Sequence, residues 1–191
     1  MKSDEIKAAA VKYFTIYGYE GASLAQIGEE VGMKKQSIYA HFKGKDDLFL
    51  HVLQEAKEEY LYSKIKYFRD IDAQHPEKDL YGFLTMMIDL FQKNEQLKFW
   101  LRMTFFPPVH LTKVIDKEVN DVESQVRVVL EEKFQGWIDH KKVVDDSAKR
   151  LTLAFLGVVD SILVELVYGN DEKTLKEKLD ASWRVFWQGI Q

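Results

Sequence analysis

Apolar residues recur three and four positions apart along nearly the whole chain, and no stretch alternates as a half-buried strand would. The first stripe is Ile6, Ala10, Phe14 and Tyr17, with Val11 beside it. Ser3 stands as its N-cap, Asp4 and Glu5 occupy the first turn, and Gly18 ends it. Ser23-Leu24-Ala25-Gln26 has the pattern of a capping box, in which the Gln26 side chain reaches back to the Ser23 backbone. It opens a short helix that points Leu24, Ile27 and Val31 inward and closes at Gly32. A third short helix is predicted over 35–42, with Ile38 and Phe42 four apart on its buried side. A fourth begins at Lys45-Asp46-Asp47 and runs to residue 68, before a polar break over 69–79. Five more follow at 78–93, 95–106, 111–140, 146–168 and 171–190, with Pro107 and Pro108 separating the second and third of these. The expected fold is all-α, with about nine helices.

Composition narrows the class. Apolar residues make up 46% of 191 and aromatic ones 13%, enough for a packed core, while 30% charged residues provide a solvated surface. The longest apolar run, 151–168, is interrupted by Asp160 and Glu165, so it reads as a buried helix rather than a membrane span. The absence of cysteine excludes disulfides, thiolate zinc sites and a cysteine nucleophile, and it fits a reducing cytoplasm. The first residues include Asp4 and Glu5 and lack the apolar core of a signal peptide. The five histidines show no metal-ligand spacing, and there is neither a glycine-rich phosphate loop nor a G-x-S-x-G elbow. We therefore expect a cytoplasmic protein that is not an enzyme, with no metal, no cofactor and no membrane partner.

Charge then singles out one segment. The chain carries a net charge of −4, yet Lys34, Lys35, His41, Lys43 and Lys45 gather in a stretch without a carboxylate. Residues 1–50 hold 7 basic and 7 acidic side chains, so the acidity lies in the remainder. On the helix over 35–42, Gln36 and Ala40 lie opposite the buried Ile38 and Phe42, flanked by Ser37 and Tyr39. An amide, a methyl, a hydroxyl and a phenol on one outer face suit a DNA major groove: Gln pairs bidentately with adenine, Ser bonds bases or phosphates, and Ala contacts a thymine methyl. The flanking lysines and His41 would meet phosphates, which set register without reading sequence. Two short helices joined by a turn at Gly32-Met33, the second one basic, form a helix-turn-helix.

The segment FTIYGYEGASLAQIGEEVGMKKQSIYAHFKGKDDLF resembles the N-terminal DNA-binding domain of the TetR family of transcriptional regulators. Phe14, Gly18, Gly21, Ser23, Ile27, Gly32, Tyr39, Phe42, Lys45 and Leu48 carry the resemblance, which covers about the first fifty residues. It implies a three-helix DNA-binding domain over 1–46 and a larger helical ligand-binding and dimerisation domain over 47–191. It also implies a homodimer that binds double-stranded operator DNA and, most often as a repressor, lets go when a small-molecule effector binds. Carried over by position, Lys35, Gln36 and Ser37 would reach base edges, and Ser23, Lys34, Tyr39, His41 and Lys45 would hold phosphates. Lys34 stands where many members place a Ser or Thr cap, and Ala40 where a larger or polar side chain is common.

For an effector pocket the aromatic and methionine-rich stretches 83–91 and 99–108 offer Phe83, Met86, Met87, Trp100, Met103 and Phe106. Arg102 would meet an anionic ligand and Asp160 or Glu165 a cationic one, so effector charge stays open. In similar proteins the last two helices pair with those of a second copy, which makes Phe155, Val159, Ile162, Trp183, Phe186 and Trp187 dimer-interface candidates. Two other readings stay open: a helical small-molecule-binding protein or enzyme whose N-terminal helices are structural, and a protein-interaction module.

Overall fold

The computed structural model describes residues 2–71, 74–169 and 171–191, and every regular element among them is helical. In chain order these are α1 (Lys2–Gly21), α2 (Leu24–Glu30), α3 (Lys35–Ile38), α4 (Lys45–Asp70), α5 (Pro76–Lys93), α6 (Glu95–Phe105), α7 (Thr112–Asp139), α8 (Ala148–Tyr168) and α9 (Glu172–Ile190). A single 3-10 turn, Val109–Leu111, precedes α7. The expected boundaries hold to within a few residues, except that the helix expected over 35–42 is helical only to Ile38. Part of the expected break over 69–79, residues 72 and 73, lies outside the described residues.

The chain forms two compact units, one of residues 1–60 with 94–120 and the other of residues 61–93 with 121–191. In the first, α1 packs on α2 and α6 through Ile6, Ala9, Ala10, Val11, Phe14 and Tyr19. Tyr17, expected in that stripe, is instead 54% exposed. At Gly18 a φ of 72° breaks the helix, as its sequence position suggested, and a further turn runs on to Gly21. Past the break it is Tyr19 that turns inward, stacked on Phe14 with ring centroids 5.8 Å apart and edge-on to Phe49 at 5.1 Å. Phe14 also meets Phe49 at 5.3 Å and Phe99 of α6 at 6.2 Å, so one aromatic cluster ties α1, α4 and α6 together. Val31, expected to point inward from α2, is only half-buried.

The second unit is built around Phe68, Phe83, Phe134 and Phe155. Phe83 lies 4.5 Å from Phe68 and 6.0 Å from Phe155, which in turn lies 5.6 Å from Phe186 of α9. Pro76 opens α5 at the first helical position, where a missing N–H costs nothing. α8 ends at Gly169 in the left-handed region, and Asp171 caps α9 by accepting from the Thr174 N–H at 2.9 Å. By length and composition α8 could cross a membrane, with a mean hydropathy of 1.9 over its most apolar window. It nevertheless buries Glu165, paired with Lys178, and packs along α9. An ion pair seated against a neighbouring helix suits a core helix better than a lipid-facing one.

Candidate nucleic-acid interface

α3 is positioned from below and from behind. Ser23 Oγ accepts from the Gln26 N–H at 3.3 Å while Gln26 Oε1 accepts from the Ser23 N–H at 3.0 Å, so the capping box that opens α2 is complete. After Glu30 the chain turns at Gly32, whose φ is 67°, and the Met33 N–H closes the turn on the Gly28 carbonyl at 2.8 Å. Gly28 itself lies so close to the turn that a Cβ there would stand 2.8 Å from the Met33 carbonyl oxygen and 3.3 Å from Ile38 Cδ1. Sequence reasoning missed Gly28; a glycine inside a capped helix was the signal for a close approach.

α3 has no side-chain cap at Lys34 and completes only Lys35–Ile38 before tightening. The Ala40 and His41 N–H groups bond three residues back, to Ser37 and Ile38, instead of four. Ile38 and Phe42 are buried as their spacing requires, and the Phe42 ring meets His51 of α4 at 5.5 Å. Everything opposite is exposed: Lys34, Lys35, Gln36, Ser37, Ala40, His41 and Tyr39, the last at 52%. No carboxylate interrupts residues 33–45. The nearby acids are engaged: Glu30 pairs with Lys12 at 2.6 Å, and Asp47 accepts from the Lys43 N–H at 2.8 Å. The structure thus brings Lys34, Lys35, Gln36, Ser37, Tyr39 and His41 onto one surface that offers cations, an amide and two hydroxyls. Cations of this kind attract phosphates, and an amide and hydroxyls can bond base edges.

Two phosphate candidates are otherwise occupied. Ser23 Oγ donates to Gln26 Oε1 at 2.7 Å as part of its cap, and the Lys45 ammonium sits 4.2 Å from the centroid of the Tyr19 ring.

The pocket candidates divide between the two units. Phe83, Met87 and half-buried Met86 belong to the second unit with Asp160, and Trp100, Arg102, Met103 and Phe106 belong to the first. Arg102 Nε is buried without a hydrogen-bond partner among the described residues, while Phe106 is 49% exposed. Asp160 is exposed, yet partial burial holds its carboxyl above the usual range, with the Lys64 ammonium opposing. A concavity of about 430 Å³ in the second unit is lined by Glu77, Lys78, Tyr81, Asp180 and Trp183, and by none of these eight.

Of the interface candidates, Phe155, Val159, Ile162, Trp183 and Phe186 are buried within their own unit, and Trp187 is half-buried, stacked on Trp183. The outward strip of α8 and α9 carries other residues: Leu153, Ala154, Gly157, Ser161 and Val164, with Ala181 and Val185. Small residues at 154, 157 and 161, opposite the buried face, were the signal for that strip.

The sequence profile described as bacterial regulatory proteins of the tetR family matches residues 6–52, the segment that folds as α1 to the start of α4. Over 94% of this chain and 88% of the relative, the protein is 26% identical to the HTH-type transcriptional repressor AcnR of Corynebacterium diphtheriae. Its fold is similar to that of a TetR transcription regulator from Haloarcula marismortui, with a TM-score of 0.76 at 19% identity over 100% of this chain and 98% of the other. It is also similar to AibR, solved in complex with isovaleryl coenzyme A and operator DNA, with a TM-score of 0.72 at 17% identity over 98% of each chain. With a capped α2, a glycine turn and a basic α3 seated on Ile38 and Phe42, residues 6–52 carry the helix-turn-helix segment of the tetR family of bacterial regulatory proteins.

Proposed function

We propose that this protein is a ligand-responsive transcriptional repressor: a cytoplasmic homodimer that holds operator DNA with two copies of the α2–α3 motif and releases it when a small molecule binds. The observation that carries the reading is the exposed, carboxylate-free surface of residues 33–45, held in a helix-turn-helix whose anchors are buried. Residues 1–46 read DNA and residues 47–191 form the regulatory domain. On the DNA, Lys35, Gln36 and Ser37 face base edges, and Lys34, Tyr39 and His41 hold phosphates. Ser23 and Lys45 join the phosphate contacts by exchanging their present partners.

The exposed Leu153, Val164 and Val185 on the outward sides of α8 and α9 support dimerisation, because a second copy would remove these apolar side chains from water. An effector is supported by AibR, a protein of the same fold, which was solved with both an acyl coenzyme A and operator DNA. The test is a footprint on the DNA upstream of its coding region, repeated with candidate effectors that include acyl-CoA thioesters. A protected site that one compound class abolishes is expected. A site that forms but that no metabolite class disturbs would overturn the ligand-responsive part.

A further inference from the structure

Between α6 and α7 the chain passes Pro107 and Pro108 and makes the 3-10 turn Val109–Leu111, which brings His110 against the start of α4 in the first unit. His110 Nε2 lies 3.3 Å from Asp46 Oδ2. The other oxygen of that carboxylate accepts a hydrogen bond from the Tyr19 hydroxyl. The Tyr19 ring stands 5.1 Å from the imidazole, edge-on, and carries the Lys45 ammonium over its face. Side chains from α1, α4 and the turn before α7 thus converge on one carboxylate. The Tyr19 hydrogen bond holds that carboxyl below its usual range, with His110 acting in the same direction. None of this is needed to fold α3, and the DNA-reading surface does not include His110.

Asp46 sits four residues after Phe42, and little slack separates them. The Lys43 N–H is held by Asp47, and the Leu48 N–H bonds to the Gly44 carbonyl at 3.1 Å. A displacement of the first turn of α4 is therefore carried directly to the end of the recognition segment. Imidazole is the side chain that changes charge near neutral pH. When it does, the contact between a neutral imidazole and the Asp46 carboxylate becomes an ion pair.

We propose that His110 is a positioning residue for DNA recognition: its imidazolium, paired with Asp46, fixes the α3–α4 corner against the segment that follows α6 and so strengthens operator binding. This rests on the repressor reading above. Asp46 on α4 and Tyr19 on α1 face His110, the Lys45 ammonium lies over the Tyr19 ring, and Glu20 acts on Tyr19 electrostatically. Both members of the pair are about half exposed, so the effect is modest, roughly a two- to fivefold change in affinity. His41 on the DNA face and His51, 3.5 Å from Asp47, are further imidazoles of this unit, so the test compares variants and not the wild-type profile alone.

The probe is a duplex selected from a random library by the wild-type protein, with affinity measured from pH 6 to pH 8. His110→Gln, which keeps a neutral donor, should match wild type at pH 8 and lose roughly two- to fivefold of the gain at pH 6. His110→Ala should be weaker throughout. Asp46→Asn should flatten the profile as His110→Gln does, and the double variant should add nothing. If all variants keep the wild-type pH profile, displaced by a constant factor, His110 is merely structural and the proposal falls. Hydrogen exchange on the free protein separates this from a failure of the repressor reading. Amides of residues 35–49 should exchange faster in His110→Gln than in wild type at pH 6 and equally at pH 8. Equal rates at both would overturn the proposal whether or not a duplex is ever selected.

Discussion

The Met33 main chain closes on Gly28 from both sides: its N–H bonds the Gly28 carbonyl at 2.8 Å, and its carbonyl oxygen stands 2.8 Å from where a Gly28 Cβ would be. The turn between α2 and α3 is therefore tight because residue 28 has no side chain. The neighbouring atom is backbone, which cannot rotate away. Gly28→Ala should cost about 1–3 kcal/mol in urea denaturation, the usual range for forced overpacking, and should weaken DNA binding as α3 shifts. A variant with wild-type stability would show that the turn is looser than this.

Lys34 occupies the N-cap of α3 with extended backbone and no side-chain hydrogen bond to the helix. A serine there would supply the missing acceptor. Lys34→Ser should therefore stabilise the fold by about 0.5–1 kcal/mol, read by urea denaturation. It should also weaken DNA binding and reduce the slope of log affinity against log salt by about one, because one phosphate contact is lost. Gaining stability while losing affinity is the expected signature of a position that favours its ligand over its own helix.

Lys64 is only 6% exposed, and burial pulls its ammonium down to about 8, with Asp160 and Glu123 opposing. Its folded-state value lies below the unfolded one near 10.4, so between the two the unfolded chain binds more protons. Stability should rise with pH across roughly 8 to 10, as the cost of burying the charge is relieved; the whole effect is at most a few kcal/mol. Lys64→Met should lack that rise and be at least as stable as wild type at pH 7, since a buried charge gives way to an apolar chain of similar length. Urea denaturation at pH 7.5, 9 and 10 decides it, and parallel curves would contradict the assignment.

Leu153, Val164 and Val185 project from α8 and α9 with 49%, 38% and 73% of their surfaces exposed. If a second copy covers them, Leu153→Glu with Val185→Glu should convert the dimer to the 22.4 kDa monomer in sedimentation equilibrium, with little loss of helix content. A wild-type chain that sediments as a monomer at micromolar concentration would refute the dimer.

Much of the fold was legible because helical spacing and caps are local signals. The capping box at Ser23–Gln26, the stop at Gly18 and the buried pair Ile38 and Phe42 could all be read from residues within one or two turns. Tyr17 illustrates where that fails: its position fits the α1 stripe, but the backbone break at Gly18 sends Tyr19 to the aromatic cluster in its place. The length of α3 was overestimated because pattern alone does not reveal that its uncapped start leaves only one regular turn. On α8, sequence marks apolar residues but not which of them the same chain already covers. Phe155, Val159 and Ile162 fill the interior while Leu153 and Val164 face outward. The carboxylate-bridged contact of Tyr19, Asp46 and His110 joins residues 27 and 64 positions apart, and no local pattern announces it.

The central claim is that the surface of residues 33–45 grips DNA through charge and reads it through Gln36. The most direct measurement is the affinity of the purified protein for a duplex from upstream of its coding region, titrated against salt, for wild type and Gln36→Ala. Wild type should bind with log affinity falling linearly as log salt rises, and Gln36→Ala should lose roughly 1–3 kcal/mol of discrimination at one base pair while keeping the salt slope. Binding that is absent, or that ignores salt and the Gln36 change alike, would contradict the account.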